Sequence, residues 1–193
     1  MTDIPPWLTA PPAPEYPYPE SHDLRTEPLL HPALGNLVPF IGVWRGRGGG
    51  EYPTIEGFGF AQEVRFSHDG RPFVFYESRA WLLADDDTPI RPAFREVGWW
   101  RPVLAPDGSA TDELEVLLTA PTGVMELYVG RVDGPKVELV TDAVVRTVTA
   151  KEVSSGQRLY GIVDGALLYA HEMAAVGQPM SAHLSAKLNR VAG

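Results

Sequence analysis

Histidine and the carboxylates are the residue types on which any metal chemistry in this chain must rest. There are five histidines, His22, His31, His68, His171 and His183, and no cysteine. Without thiols there are no disulfides, thiolate nucleophiles, zinc ribbons, iron–sulfur clusters or cysteine-ligated haem, so a metal would be held by imidazole or carboxylate. The familiar catalytic spacings are missing too. There is no Gly-x-Ser-x-Gly elbow, no His-Glu-x-x-His, and no Gly-x-Gly-x-x-Gly opening a helix after a strand. The glycine-rich run from Gly46 to Gly50 is no phosphate loop, because neither Lys-Ser nor Lys-Thr follows it. His22 ends a proline-rich stretch and reads as solvated, and His68 falls in the turn sequence Ser67-His68-Asp69-Gly70-Arg71. His183 has two readings. On a closing strand it lies opposite Leu184, Ala186 and Leu188, so it is either exposed or presented to a cavity as a metal ligand.

The elements that must position these residues are mostly strands. Phe58, Phe60, Gln62, Val64 and Phe66 share one face of a period-2 segment, and Phe73, Phe75, Glu77, Arg79 and Trp81 share one face of the next. Further strands are expected over Glu96 to Val103, Glu113 to Thr119, Val124 to Val132, Lys136 to Ala143, Val145 to Val153, Gln157 to Val163, Leu167 to Ala175 and Ala182 to Val191. Turn signals such as Asp107-Gly108, Asp133-Gly134 and Asp164-Gly165 separate them. The last segment also fits helical spacing; the strand is chosen because it would close a barrel. Ala33, Leu34, Leu37, Val38 and Ile41 recur at helical spacing after Pro32, predicting a short amphipathic helix over Pro32 to Ile41. The fold class expected is all-β, a closed antiparallel up-and-down β-barrel of about ten strands with this helix capping one end.

The stretch Gly42-Val43-Trp44-Arg45-Gly46-Arg47-Gly48 implies a bent or bulged strand whose inward anchor is Trp44, with Tyr52-Pro53-Thr54 as the turn out of it. Residues 1–27 hold Pro5, Pro6, Pro11, Pro12, Pro14, Pro17 and Pro19 among Trp7, Tyr16 and Tyr18. They are expected to form an extended tail that either wraps the domain of residues 28–193 or stays mobile, its aromatics favouring wrapping. A net charge of -9 argues against nucleic acid and anionic membranes as partners. No long apolar run and no basic, apolar leader is visible, so the expected location is cytoplasmic.

Two end motifs then carry a resemblance. Gly42-Val-Trp44-Arg-Gly46-Arg-Gly48 with Tyr52-Pro53-Thr54-Ile55, and Ala175-Val-Gly177-Gln178-Pro179-Met-Ser-Ala-His183-Leu184, are similar to the nitrobindin family of haem-binding barrels, in an actinobacterial form. The similarity covers roughly residues 24–191. It implies one haem b per chain with His183 as axial ligand to ferric iron, Thr54 beside a propionate, and binding of NO with isomerisation of peroxynitrite to nitrate. Family members often carry Met-His-x-Glu-x-Gly-Tyr on the distal side. Here Ala93-Phe94-Arg95-Glu96-Val97-Gly98-Trp99 lacks the histidine, which implies a drier, more apolar pocket. Trp99, Trp100 and Tyr128 could wall it. The alternative function is a non-enzymatic carrier of a fatty acid, which needs a basic residue in the cavity, Arg65, Arg79 or Arg101 being available. Exposed strand or tail surfaces could support a homodimer.

Overall fold

A computed structural model describes residues 4–193; the first three residues of the expected tail lie outside the described residues. Ten strands are formed: β1 Gly42–Tyr52, β2 Ile55–Ser67, β3 Val74–Leu83, β4 Pro89–Leu104, β5 Ala110–Ala120, β6 Val124–Asp133, β7 Lys136–Arg146, β8 Val153–Val163, β9 Ala166–Ala175 and β10 Ser181–Ala192. Each pairs antiparallel with its sequence neighbour, and β1 pairs with β10, from Val43 opposite Ala192 to Gly50 opposite Leu184, closing the barrel. Closure leaves no free sheet edge. Among the described residues no helix is long and apolar enough to cross a membrane.

The glycines of β1 explain how its neighbours approach so closely. Its register against β10 shifts between Val43 and Trp44, and against β2 between Gly50 and Tyr52, which are the irregularities that alternating glycines imply. A Cβ at Gly48 would collide with the Ser185 carbonyl, the Phe60 ring and Ala186. Bare backbone there lets β10 and the β2 phenylalanines press inward. Trp44 is the inward anchor and is fully buried. Its Nε1 donates to the Phe40 carbonyl at 2.7 Å, and the Arg190 guanidinium lies 4.2 Å from its ring centre while donating to the Pro39 carbonyl at 2.6 Å. Together they fix the segment before β1 onto the barrel.

That segment caps one end, as a 3-10 turn over Pro32–Leu37 rather than the longer amphipathic helix of the sequence reading. Gly35 and Asn36 are weak helix formers and Pro39 ends the run. His31 caps the turn, its Nδ1 accepting from the Ala33 amide at 3.2 Å. Ala33, Leu34 and Leu37 are buried against the core. Near its end the tail is fastened to the barrel, where Ser21 and His68 exchange backbone hydrogen bonds of 2.8 Å and Glu20 accepts from the Ser67 hydroxyl; residues 6–19 are exposed.

Two strand expectations are corrected. No strand runs from Val145 to Val153; β7 ends at Arg146 and residues 147–152 form a turn tied to the β5–β6 connection, the Thr147 amide donating to the Gly123 carbonyl at 2.9 Å. The β-branched Thr147-Val148-Thr149 mimics a strand, yet Val148 is fully exposed and covers nothing. Strand β4 begins at Pro89, well before Glu96. Pro89 and Pro92 sit where the β3–β4 register shifts and Pro102 where the β4–β5 register shifts, which spares the ladders the missing donors.

Candidate functional site

The turns β1–β2, β3–β4, β5–β6 and β9–β10 gather at the end opposite the cap. There the inward side chains leave a cavity of about 520 Å³, within the range that holds cofactors. Phe58, Leu82, Phe94, Val124, Met173 and Leu184 supply much of its apolar lining.

His183 lines this cavity, and so does its neighbour Leu184. Strict alternation would put them on opposite faces. The β9–β10 register shifts between Ala182 and Leu184, so His183 is the extra residue of a bulge and both side chains turn inward. Its Nδ1 lies 3.2 Å from the Glu51 carbonyl oxygen. A carbonyl only accepts, so Nδ1 carries the proton and Nε2 keeps its lone pair. Tyr52 meets the imidazole edge to face, with ring centres 5.6 Å apart. Tyr52 is itself fixed, since its hydroxyl receives the Ala175 amide at 2.8 Å and donates toward the Ala175 and Met173 carbonyls. Burial lowers the His183 pKa; the Glu51 carbonyl opposes the shift and Arg158 adds to it. The ring is therefore a neutral, oriented imidazole at neutral pH.

The expectation of a drier, more apolar pocket is corrected by the charged part of the cavity lining. Arg158, almost fully buried, donates to both oxygens of Glu96 at 2.7 and 2.9 Å, to Glu126 at 3.3 Å and to the Tyr128 hydroxyl at 3.0 Å. All three charged residues line the cavity. Burial raises the Glu96 pKa, but the Arg158 charge and hydrogen bonds, with that from Tyr76, bring it below the ordinary value. The wall lacking a distal histidine is thus an ionic cluster. His171 on β9 also lines the cavity, with its ring centre 5.8 Å from that of His183. Burial, Arg158 and His183 hold its pKa far below the usual value.

The other residues singled out in the sequence fall elsewhere. Trp44 packs under the cap, whereas Gly46 and Gly48 lie along β1 toward the cavity end and Gly42 at its start. Thr54 is exposed in the β1–β2 turn, next to the cavity-lining Ile55 and Glu56. Trp100 and Tyr128 are core residues, and Trp99 points outward; none walls the cavity. Arg79 and Arg101 pair with Glu63 and Glu115 outside the barrel, and Arg65 is not among the cavity's lining residues either. The deep cation is Arg158, already shared by two carboxylates, so a fatty carboxylate would meet no uncompensated charge there. Glu51, Tyr52, His171 and the Arg158 cluster escaped the sequence reading. A signal for Arg158 existed, because it has the same parity as the inward Tyr160 and Gly156.

These residues fit a haem: a free, unprotonated Nε2 beside the apolar part of the lining, with the cation Arg91 on the same lining to meet propionates. Comparison with known proteins agrees. Residues 33–190 match the model of the THAP4-like, heme-binding beta-barrel domain. The chain is 67% identical over 189 residues to a peroxynitrite isomerase of Salinispora arenicola, covering 98% of this chain and 96% of that protein. A peroxynitrite isomerase of Streptomyces griseus is 48% identical, with 94% and 96% covered, and a ferric nitrobindin-like protein of Saccharopolyspora erythraea is 45% identical, with 90% and 81% covered. The solved structure of Rv2717c from M. tuberculosis superposes with a TM-score of 0.72 at 38% identity, covering 83% of this chain and 98% of that one.

Proposed function

As the chain belongs to the THAP4-like, heme-binding β-barrel family, we propose that its cavity holds one haem b and that it isomerises peroxynitrite to nitrate and binds NO. The observation that carries the reading is the His183 imidazole, bulged into the cavity with Nδ1 tied to Glu51 and Nε2 left free. His183 would hold the haem iron through Nε2, and the bound haem would supply the redox-active iron for chemistry on NO or peroxynitrite.

The protein holds that group and shields it. The Glu51 carbonyl keeps the proton on Nδ1, and Tyr52 holds the ring plane against β9. Arg91, with Thr54 at the rim, would meet the propionates, while Phe58, Phe94 and Leu184 exclude water. The Arg158 cluster closes the pocket's inner end with charges already paired, so it orients a polar ligand without offering a free cation to lipid. In this proposal residues 28–193 are the haem-binding unit and residues 1–27 a separate proline-rich tail. The proposed site of action is the cytoplasm, tested by fractionation. A homodimer through the exposed cross-strand pairs Met125 with Val145 and Val129 with Val140 belongs to it as well; sedimentation at micromolar concentration tests it, a monomer-sized species counting against.

Stopped-flow decay of peroxynitrite tests the activity. Haem-loaded protein should accelerate decay and raise the nitrate share of the products, and His183→Ala should abolish both effects. Decay unchanged by the loaded wild type would overturn the reading.

A further inference from the structure

Beside the cavity stands a column of oxidisable rings that the proposed isomerase does not use. Tyr169 lines the cavity. Its ring centre is 5.7 Å from that of Tyr160, Tyr160 is 5.0 Å from Trp100, and Trp100 is 6.0 Å from Tyr76. Each ring is buried. The Tyr76 hydroxyl donates to Glu96 Oε1 at 2.9 Å, so a phenol at the end of the column has a carboxylate ready to take its proton. Trp99, 44% exposed, follows on the outer face of β4, its Cα about 3.8 Å from that of Trp100. A second phenol, Tyr128, also donates to a carboxylate, Glu126 at 2.9 Å, but it has no aromatic neighbour among these ring pairs. Hydrogen-bonded to a carboxylate like Tyr76, though also accepting from Arg158 Nε, and unconnected to the column, it serves as an internal control.

We propose that this column carries one-electron oxidation from the cavity to Tyr76, making Tyr76 with Glu96 a built radical site that reduces nitrogen dioxide escaping isomerisation. The oxidant rests on the proposed function, since nitrogen dioxide forms when the O–O bond of peroxynitrite breaks; the column itself does not depend on it. In the step, nitrogen dioxide gains one electron and leaves as nitrite. Tyr76 loses that electron through Trp100, Tyr160 and Tyr169, and passes its phenolic proton to Glu96. One electron from a soluble thiol or ascorbate, with the proton returned from Glu96, restores the phenol.

Pulse radiolysis with the azide radical reads the column from its outer end. The full chain is used as purified and after haemin loading, in a Trp7→Phe, Tyr16→Phe, Tyr18→Phe background that removes exposed tail rings. The as-purified arm reports on the column whatever becomes of the haem reading, which the Soret band of the loaded arm tests separately. The tryptophan radical should convert to a phenoxyl radical at a first-order rate independent of protein concentration. Trp100→Phe should slow conversion at least tenfold, Tyr76→Phe should cut phenoxyl yield at least fivefold, and Tyr128→Phe should leave both unchanged, with melting curves verifying that each variant is folded. Equal phenoxyl yield in Tyr76→Phe and parent, a rate proportional to protein concentration, or no conversion would overturn the proposal.

Discussion

The two ends of the barrel are built from the same strands with opposite contents. Under the cap, the inward positions of β4, β8 and β10 are Trp100, Tyr160 and Leu188, packed with Trp44 of β1; toward the mouth the same three strands present Glu96, Arg158 and His183. Bulk and apolarity fill one end, while ionisable residues line the open other. A barrel of this width encloses more than a few side chains can fill. Function can therefore occupy one end while the other supplies stability. Reading each strand's inward positions from end to end, rather than as a single face, is what locates the site.

This division can be broken from either side. Trp44→Ala should have the largest effect, about 4–5 kcal/mol of stability at the upper end of the range for buried aromatic deletions, because the ring, its bond to Phe40 and the Arg190 stack go together. Urea unfolding should show that loss, with haem affinity unchanged wherever the variant is folded. Arg158→Ala should cost about 3–4 kcal/mol by leaving Glu96 and Glu126 unpaired in a buried wall. Unlike the first, it should also alter the spectrum of bound haem, since the cluster lines the cavity. A loss under about 1 kcal/mol would mean that water already reaches the cluster.

The smallest effect per residue is one of pH. His68, His171 and His183 have folded pKa values lowered chiefly by burial. Below about 6.5 the unfolded chain binds more protons than the folded one, so stability falls as pH drops from there toward the folded values. Each histidine contributes at most about 1.4 kcal/mol per pH unit. The haem-free melting temperature should decline between about pH 6.5 and 5, and His171→Gln should make the decline shallower. A flat profile would contradict burial of these rings.

Much of the fold was legible in the sequence, and particular residues show why the rest was not. The period-2 run from Phe58 to Phe66 and the Asp-Gly turns give the meander, because alternation and turn chemistry are local. Trp44 and the glycines around it give the curved strand. Thr147-Val148-Thr149 misleads because β-branched residues signal a strand even where a turn is anchored from another part of the chain. His183 could not be oriented from sequence, since the bulge that turns it inward depends on the β9–β10 register. The Arg158 cluster assembles side chains from β4, β6 and β8, and no local pattern announces so distant a meeting.

Haemin titration at neutral pH, followed by the Soret band and by resonance Raman detection of the iron–imidazole stretch, tests the central claim most directly. Wild type should saturate at one haem per chain with that stretch present, and His183→Ala should lose the stretch and at least about 100-fold in affinity, about 2.7 kcal/mol. Equal affinity with an unchanged stretch in His183→Ala would contradict it.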